Sequence, residues 1–465
     1  MTGTRYNPRL LVRINGQLVA TADPVGGLAP LVAVADVAVT WGRARVWEHQ
    51  NSAQATLSLI DRLFTYGPHL GNQLANAPIT LAYDVPGVLA ERTFFRGNIT
   101  DYNGIVLPPD PRTGESRGMR LDISAASIMT ALANVKTGVF AQTGNMIMGI
   151  RWGNLENFIA PGFVADTVYD VTNTTESWWN RPLVARTYND ESVVSAQRQL
   201  LDMMGDQQVY DPHANVLTFA TRRRIEDARG YGVPIVDAQA GGLVLRVPGG
   251  EAVPTLDAAE FSGGKLAKST EARVTSIRVT GYTDSTGATT TTGAAVITDP
   301  LDSVAPVPLT IASDWFQAAD RSVTLTRWNG LMAREAKSWR PEPITHQTQR
   351  LGGIPAEAIP ILLNGTDYSG VVYFGRSDWA RAGVVPAWSV IGGTIRYVGG
   401  DPGWWSPSVQ LAAPAFYEVS GGLGIAAART PANCDVGAAH PLKAADLSPA
   451  LSAADARFWT TPYTG

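Results

Sequence analysis

Apolar and polar residues alternate in short runs along the N-terminal part of the chain, and this alternation predicts consecutive β-strands. The predicted strands cover residues 9–15, 17–21, 36–41, 54–61, 79–84 and 92–102. In the fourth run, Ala55, Leu57 and Leu59 point to one face of the strand. Thr56 and Ser58, which lie between them, point to the opposite face. One face of the sheet is therefore buried, which favours a small barrel or sandwich.

Turn-forming residues separate these strands. The dipeptide Asn15-Gly16 lies between the first two runs and predicts a two-residue hairpin turn, because Asn and Gly readily adopt positive φ angles. Residues 107–118 are rich in Pro and Gly. Pro109 and Pro111 cannot donate to a strand ladder, so this stretch predicts a surface loop.

Two segments have the apolar spacing of helices. Ser124 is the expected N-cap of a first helix that runs to Val135. The second predicted helix covers residues 193–204 and is capped by Asp190 or Ser192. Each carries a single apolar stripe, which is typical of a helix that packs against a core.

The remaining predicted elements are strands and one further helix. A hairpin is expected at residues 208–211 and 216–220, where His213 lies in the turn. Residues 283–298 contain mainly Thr, Gly and Ala and predict a mobile loop or a long hairpin tip. The other predicted strands are 242–247, 272–282, 322–326, 347–351, 370–374 and 394–398, and the third helix is 328–339.

A chain of 465 residues is long enough for about three or four domains. We expect a mainly β fold with an α+β insertion: two β domains, an α+β subdomain and an extended C-terminal segment. The expected boundaries are 1–105 for the first β domain, 106–230 for the α+β subdomain, 231–400 for the second β domain and 401–465 for a C-terminal arm or peripheral segment.

Composition and charge exclude several classes of protein. The chain is 45% hydrophobic and 17% charged, and it lacks the run of about 20 apolar residues that a membrane span needs. Its N-terminus lacks the basic and apolar stretches of a secretory signal, so we expect it to fold in the cytoplasm where it is made. The net charge of -4 does not attract nucleic acid, and the basic run 222–224 is best interpreted as a solvated hairpin end.

The motifs of common enzymes are absent from the sequence. The five histidines lack the spacing of a zinc peptidase, and Cys434 alone forms neither an internal disulfide nor a thiolate metal site. We therefore expect no catalytic residue, no cofactor and no metal. Carboxylate pairs that cleave glycosides are recognised by their separation in space, so the 41 acidic residues leave that alternative open. The histidines are His49, His69, His213, His346 and His440.

Two tryptophan pairs stand beside turn-forming residues. These pairs are Trp178-Trp179 and Trp404-Trp405. Exposed indole rings can stack on sugars, which would indicate binding of a glycan. Tryptophan is also enriched as an anchor in subunit interfaces, and we favour that interpretation.

Three sequence features occur in order in the N-terminal region. They are a predicted strand ending in Trp41-Gly42-Arg43, an alternating strand ending in Asp61, and the run Arg96-Gly97-Asn98-Ile99. A helix followed by Val209-Tyr-Asp-Pro212 and Leu217-Thr-Phe219 continues the series. In this ordered set the chain resembles the minor tail or tail-hub proteins of long-tailed phages that infect actinobacteria. The resemblance covers residues 1–230, and residues 137–187 depart from it.

The resemblance implies that the two β domains, residues 1–105 and 231–400, are small β-barrels of the phage tail-hub type. It also implies a structural protein of the phage tail tip, similar to central baseplate hubs, that trimerises, caps the tail tube and opens for genome ejection. Its implied partners are copies of itself, the distal tail protein, the tail tube, the tape-measure protein and downstream fibre or tip proteins. DNA would pass through without specific binding. The alternative is a receptor-binding or cell-wall-degrading tail component that acts in host attachment.

Overall fold

The computed structural model describes most of the N-terminal half of the chain and separate parts of the C-terminal half. The described residues are 4–21, 32–43, 48–66, 74–142, 144, 146–159, 164, 166–170, 182–203, 207–220, 235–239, 242–246, 255–267, 276–283, 289–295, 308–312, 324–325, 328, 340–364, 371–375, 387–400 and 403–412. None of the helices in these residues is long and apolar enough to cross a membrane.

The strands predicted in the N-terminal part of the chain are confirmed. They are β2 (Arg9–Ile14), β3 (Gln17–Thr21), β4 (Val32–Gly42), β5 (Asn51–Asp61), β6 (Pro78–Val85) and β7 (Leu89–Val106). Two further strands, β1 (Arg5–Tyr6) and β8 (Met119–Ser127), precede and follow them. In β5, Ala55, Leu57 and Leu59 are buried, whereas Thr56 is exposed. The sheet therefore has one buried face, as its alternating pattern predicts.

The turn between β2 and β3 has the predicted geometry. Ile14 pairs with Gln17, so the loop contains only Asn15 and Gly16. Their φ angles are 51° and 75°, as a two-residue hairpin turn requires. Asn tolerates this left-handed conformation and Gly adopts it without strain, so the local sequence is sufficient to form the turn.

The pairing of β2 to β8 almost closes on itself. It runs from β4 through β5, β8, β7, β6 and β2 to β3. The return from β3 to β4 is a single parallel bridge between Ala20 and Val32. The rest of that edge of β4, from Asp36 to Gly42, is paired with β28 (Ala387–Val398). Closure of the two predicted barrels by continuous ladders is therefore not observed in the described residues.

Several strands from the second half of the chain extend this same sheet to 14 strands. Besides β28 they are β18 (Thr255–Asp257), β19 (Phe261–Gly263), β25 (Ile344–His346), β27 (Val371–Gly375), β29 (Trp404–Trp405) and β30 (Ser408–Ala412). In addition, β1 pairs with β26 (Ile354–Pro355). The mainly β fold class is confirmed, while the domain boundaries at residues 105, 230 and 400 remain predictions.

The α+β insertion follows β8. Its helices are α1 (Ile128–Ala133), α2 (Met148–Glu156) and α3 (Val193–Asp202), and its strands are β9 (Val139–Gln142), β10 (Met146–Ile147), β11 (Asp166–Asp170), β12 (Pro182–Leu183), β13 (Arg186–Asn189), β14 (Gln207–Asp211) and β15 (Val216–Ala220). The hydroxyl of Ser192 accepts from the N–H of Ser195 at 3.4 Å and caps α3. The predicted second helix and the hairpin after it are confirmed.

The first helix begins later than predicted. Ser124 lies inside β8, where it pairs with Thr56 of β5, and the N-cap of α1 is Ser127. Ladders with β5 and β7 on both sides of β8 outweigh the capping tendency of Ser124. The predicted N-cap was wrong by three positions, because the pairing of β8 with β5 and β7 continues past Ser124.

Smaller sheets complete the described strands. They comprise β16 (Ile235–Gln239) with β17 (Gly242–Arg246), β20 (Leu266–Ala267) with β24 (Arg340–Pro341), and β21 (Ser276–Thr283) with β22 (Thr289–Ala295) and β23 (Pro308–Ala312). Within residues 283–298, Thr283 pairs antiparallel with Thr289, and β22 continues this pairing along β21; residues 284–288 and 296–298 lie outside the described part of the chain.

Two predicted strands in the C-terminal half are helical. Residues 348–351 form α4 (Thr348–Leu351), and Thr324 and Leu325 are helical within the predicted strand 322–326. Short apolar runs do not distinguish a strand from a buried helix by their period. A further helix, α5 (Ile359–Leu362), was not predicted. In the predicted helix 328–339, Trp328 is helical and the other positions lie outside the described residues.

The predicted C-terminal arm is corrected over its first residues. Within 401–465, β29 pairs with β28, and β30 pairs with both β28 and β25. These two strands therefore belong to the main sheet. Residues 413–465 lie outside the described part of the chain.

The described residues form two apolar cores. The first lies under the main sheet and includes residues from both ends of the chain, such as Leu10, Phe94 and Leu411. The second lies between α1, α2 and α3 and includes Trp152 and Leu200. The two halves of the chain thus share a core as well as a sheet.

The Trp41-Gly42-Arg43 run lies where β4 meets β28. Trp41 is buried in the first core, and the N–H of Arg43 donates to the carbonyl of Ile391 at 2.9 Å. Gly42 has a φ of 104°, and a Cβ at this position would overlap the Cα of Gly392. Only a residue without a side chain allows the two backbones to approach this closely.

We expect Gly42→Ala to destabilise the fold by at least about 2 kcal/mol, because the added methyl group forces β4 and β28 apart and the φ angle is unfavourable. Urea unfolding measures the change. Gly153→Ala in α2 is the matched control: a Cβ there meets no atom within 4 Å, so it should stabilise by about 0.5–1 kcal/mol. Equal stability of Gly42→Ala and the wild type would contradict the packing argument.

Candidate functional site

Side chains that could perform chemistry are dispersed over the described part of the chain. No group of three or more His, Cys, Asp or Glu side chains there is arranged to hold a metal ion. His49, His213 and His346 lie apart, and each contacts a protein group by a hydrogen bond. The predicted features outside the described residues are His69, His440, Cys434 and the basic run 222–224.

His49 and Asp202 form a pair that resembles part of a catalytic triad. Nε2 of His49 lies 2.9 Å from Oδ1 of Asp202. In a triad the other ring nitrogen faces a nucleophilic hydroxyl. Nδ1 of His49 is instead buried and has no hydrogen-bond partner within the described residues. The pair connects the segment before β5 to α3 and has no nucleophile among these residues.

Trp405 lies inside the first core. It is 1% exposed, and its indole N–H donates to the carbonyl of Pro8 at 2.6 Å. Its ring packs edge-on against Phe94 and Tyr397, with centroid distances of 5.8 and 5.1 Å. Trp405 lies on β29, which pairs with β28, and its side chain faces the core of its own chain. In this chain the indole is not accessible to a glycan.

The other candidate tryptophans differ from Trp405. Trp404 is half-buried on β29, with its side chain on the face opposite that of its neighbour. Trp178 and Trp179 lie outside the described residues. For these three tryptophans, a role in a subunit interface or in glycan contact stays a prediction.

We expect Trp405→Ala to destabilise the fold by about 3–5 kcal/mol, because it empties a buried site and removes the bond to Pro8. Trp404→Ala is the matched control and should cost less than about 1.5 kcal/mol. Thermal and urea unfolding of both variants measure the difference. Equal stability of the two variants would contradict the placement of Trp405 in the core.

Gln50 joins the main sheet to the α+β insertion. Its side-chain Oε1 accepts from the N–H of Tyr210 at 3.0 Å, and its carbonyl accepts from Nη2 of Arg198 at 2.8 Å. Nε of Arg198 also donates to Gln208 at 3.0 Å. Burial lowers the pKa of Arg198 and raises the pKa of Tyr210, as expected for groups removed from water. The junction is therefore polar, buried and hydrogen-bonded.

The turn after β14 packs on β7 and strengthens this junction. Nε of Arg96 donates to the carbonyl of Pro212 at 3.3 Å, and the N–H of Thr93 donates to Nδ1 of His213 at 3.3 Å. Oδ1 of Asp211 accepts from the N–H of His213 at 2.8 Å and holds the turn in shape. The predicted turn at His213 is confirmed, and its histidine serves a structural contact.

We expect Gln50→Ala to destabilise the fold by about 1–3 kcal/mol, because it leaves the buried N–H of Tyr210 without its acceptor. Gln54→Ala, at an exposed position of β5, is the matched control and should change stability by less than about 0.5 kcal/mol. Urea unfolding followed by tryptophan fluorescence compares them. A neutral Gln50→Ala would show that this hydrogen bond does not support the junction.

A second polar network holds β1 against the C-terminal strands. Nη2 of Arg5 donates to Oε1 of Glu260 at 2.6 Å, and Nη1 donates to Oε2 at 3.3 Å. Nε2 of His346 lies 3.2 Å from the same Oε2, and its Nδ1 lies 2.8 Å from Oγ1 of Thr348. The His346 side chain is 1% exposed. One carboxylate thus binds a strand from the N-terminus and a strand from the second half of the chain.

The protein environment determines the protonation states of His346 and Glu260. Burial lowers the pKa of His346, and the opposing effect of Glu260 does not restore it. Burial alone would raise the pKa of Glu260, but hydrogen bonds and charges from Arg5 and His346 together lower it. At neutral pH the imidazole is therefore neutral and the carboxylate ionised. The neutral ring donates from Nε2 to Glu260 and accepts at Nδ1 from the Thr348 hydroxyl.

The outward face of the main sheet contains an open acidic groove of about 300 Å³. Asp36, Asp101 and Asp122 line it, on β4, β7 and β8. Two arginines beside it are already paired: Arg396 lies 3.2 Å from Asp36, and Arg120 lies 2.8 Å from Asp122. The groove is therefore lined by carboxylates, and the two arginines beside it are neutralised by ion pairs with aspartates.

Strand β7 extends beyond β6 into an arm, which we define as residues 100–118. β6 pairs with β7 as far as Asn98, whereas β8 continues along β7 to Val106. Within the described residues, the outer part of β7 consequently pairs with a strand on one side only. Ile105 and Val106 are 41% and 64% exposed there. The surface loop predicted at the tip is confirmed, and within it the backbone N–H of Asp110 donates to the carbonyl of Glu115 at 2.9 Å.

Gln50 and Glu260 were not singled out from the sequence, and His346 was considered only among possible zinc ligands. Gln50 lies outside any motif, and Arg5, Glu260 and His346 of the second network are more than 80 residues apart along the chain. A weak signal did exist for the first junction, because Val209-Tyr-Asp-Pro212 belongs to the ordered resemblance. No short sequence pattern predicts the second network.

Comparisons with known proteins support the fold. No family model matches the sequence, and no curated protein matches it. Among solved structures, the chain is similar to the tail protein from Neisseria meningitidis MC58, with a TM-score of 0.53 and 12% identity over 89% of this chain and 98% of that one. It is also similar to the 43 kDa tail protein of prophage MuSo2 from Shewanella oneidensis, with a TM-score of 0.50 and 12% identity over 88% and 100% of the two chains. The chain therefore has a fold similar to that of phage-type tail proteins over most of its length.

Proposed function

We propose that this protein is a structural subunit of a phage tail tip: a hub that assembles as a homotrimer, caps the tail tube and connects it to distal tail and fibre proteins. The observation that carries the proposal is the likeness of fold, which spans 98% and 100% of two tail proteins. A likeness of nearly whole chains fits a common architectural role better than a shared accessory module would.

The proposed role is mechanical and requires no catalysis. Three histidines that could act as acids or bases instead bind Asp202, Thr93 and Thr348 within the chain. Polar groups at both junctions hold parts of the chain together. This use of titratable side chains supports a structural role over a hydrolytic one.

The arm supports assembly with other copies of the chain. An open strand edge with apolar neighbours is an aggregation hazard unless another surface covers it. Ile105, Val106 and nearby Leu63 are the exposed apolar residues at this end of the sheet; Leu63 follows β5, whose last residue pairs with Met119 of β8. In a ring, the neighbouring subunit would cover this edge, and closure would leave none open.

The acidic groove is consistent with passage of DNA without specific binding. Phosphates are attracted by unpaired Lys and Arg side chains. On this face Arg120 and Arg396 are neutralised by aspartates, so a passing duplex would meet repulsion rather than a binding site. The proposed location is the tail tip of the virion, with the tape-measure protein and the distal tail protein as neighbours, and the proposed steps are host attachment and genome ejection.

We expect the purified full-length chain to form a trimer at micromolar concentration, measured by light scattering after size exclusion and by native mass spectrometry. Val106→Asp should weaken association at least about tenfold, because it places a charge in a contact that excludes water. Val139→Asp is the matched control. Val139 is 83% exposed on β9, away from the arm, and its replacement should leave the mass unchanged.

A stable monomer that hydrolyses a cell-wall polymer would overturn the hub and favour the alternative, a carbohydrate-active tail component. A trimer that persists in Val106→Asp would keep the hub and reject the arm as its contact. Incubation of the purified chain with host cell walls, followed by release of soluble sugars or peptides, tests the enzymatic alternative directly.

A further inference from the structure

The network of Arg5, Glu260 and His346, together with the pairing of β1 and β26, forms what we call the N-terminal latch. Its central atom is Oε2 of Glu260, which accepts from Arg5 at 3.3 Å and from His346 at 3.2 Å. The pairing of β1 with β26 covers only Arg5 with Pro355 and Tyr6 with Ile354. A strand of two residues contributes little by itself, so its side chains anchor β1. Arg5 forms the ion pair with Glu260 and donates to the carbonyl of Gly353 at 3.5 Å, and Tyr6 packs against the first core.

The remaining contacts of the N-terminal segment do not depend on a titrating group. Nδ2 of Asn7 donates to the carbonyl of Gly403 at 2.8 Å. The indole of Trp405 donates to the carbonyl of Pro8 at 2.6 Å, and this bond is buried. The chain therefore stays anchored at residues 7–8 when the latch opens, and opening is confined to β1.

A proton on His346 would change this network. The charged imidazole must donate at Nδ1 as well, so the Thr348 hydroxyl has to rotate. It would compete with Arg5 for Oε2 as a second cation beside the first. It would also be held at a site where the side chain is 1% exposed, which is costly for a cation.

The charged groups around the imidazole leave Glu260 as its one stabilising partner among the described residues. These groups are Glu260 before β19, Arg5 on β1, and Arg350 on α4, which donates to the carbonyl of Ala259 at 3.3 Å. On β19, the ring of Phe261 lies edge-on to the imidazole, with 5.2 Å between the ring centroids. In the segment before β30, the carbonyl of Pro407 accepts a hydrogen bond from the backbone N–H of His346. Two of the three charges are positive and oppose protonation.

We propose that the latch is a proton-sensitive switch: protonation of His346 weakens the hold of Arg5 on Glu260 and releases β1 from β26. This goes beyond the hub role and does not depend on it. Because the ring is neutral in the folded chain and charges more readily once exposed, the closed latch loses stability as the pH falls below the ordinary histidine value of about 6.5. Glu260 stays ionised over that range, since its own pKa is lowered.

Hydrogen–deuterium exchange on the full-length chain tests the switch. Peptides that cover residues 4–8 and 352–356 should exchange faster at about pH 5 than at about pH 7.5, by up to about tenfold per pH unit after correction for the chemical rate. Peptides from β5 should keep their protection at both values, which shows that the response is local. His346→Gln, which can still donate to Glu260 but cannot be charged, should remove the response.

Three further variants make the result decisive. His346→Asn should behave as His346→Gln does, so that a folding defect in one is recognised from the exchange of β5. Arg5→Gln should open β1 at both pH values. His213→Gln, at an exposed turn, should retain the wild-type response. The proposal is overturned if the wild type shows no response, or if the response persists in both His346 variants.

Discussion

The edge of β4 is the constraint on which the main sheet depends. Strand β5 pairs with one edge of β4 along its length. The other edge of β4 forms a single bridge to β3 and a ladder with β28. Since a strand has only two edges, a strand from the C-terminal half occupies the place where an N-terminal barrel would close. Gly42 and Gly392 allow this approach because neither carries a side chain. The consequence is one 14-stranded sheet made from both ends of the chain.

Polar junctions then hold the other parts of the molecule to this sheet. Gln50 binds the α+β insertion through Tyr210 and Arg198, and Glu260 binds β1 through Arg5. Buried hydrogen bonds of this kind fix one geometry, because each unmet partner costs more than a typical bond gains. The proposed structural role requires such defined joints. Their dependence on a few groups also makes them places where one proton or one substitution acts locally.

The marks that carry the family resemblance have structural rather than chemical roles. Gly42 permits the contact of β4 with β28. Asp61 is fully buried, and its carboxylate accepts from the N–H groups of Leu63 and Tyr66 at 3.2 and 2.7 Å, which shapes the turn after β5. A Cβ at Gly97 would overlap the carbonyl of Ala126 in β8. The local backbone geometry requires each of these residues. The set therefore indicates a fold and does not point to a chemical reaction.

Local pattern was sufficient for the elements whose determinants are close in sequence. The alternation of Ala55, Leu57 and Leu59, the Asn15-Gly16 turn and the Ser192 cap all depend on a few neighbouring residues. Local pattern gave wrong predictions where contacts with distant parts of the chain determine the structure. Ser124 stays in β8 because it pairs with Thr56 of β5, and Trp405 lies in the core because its indole contacts Pro8 and Phe94 from the N-terminal part of the chain. These contacts join residues that are tens to hundreds of positions apart. A sequence window contains no information about which strand will come to lie at its edge.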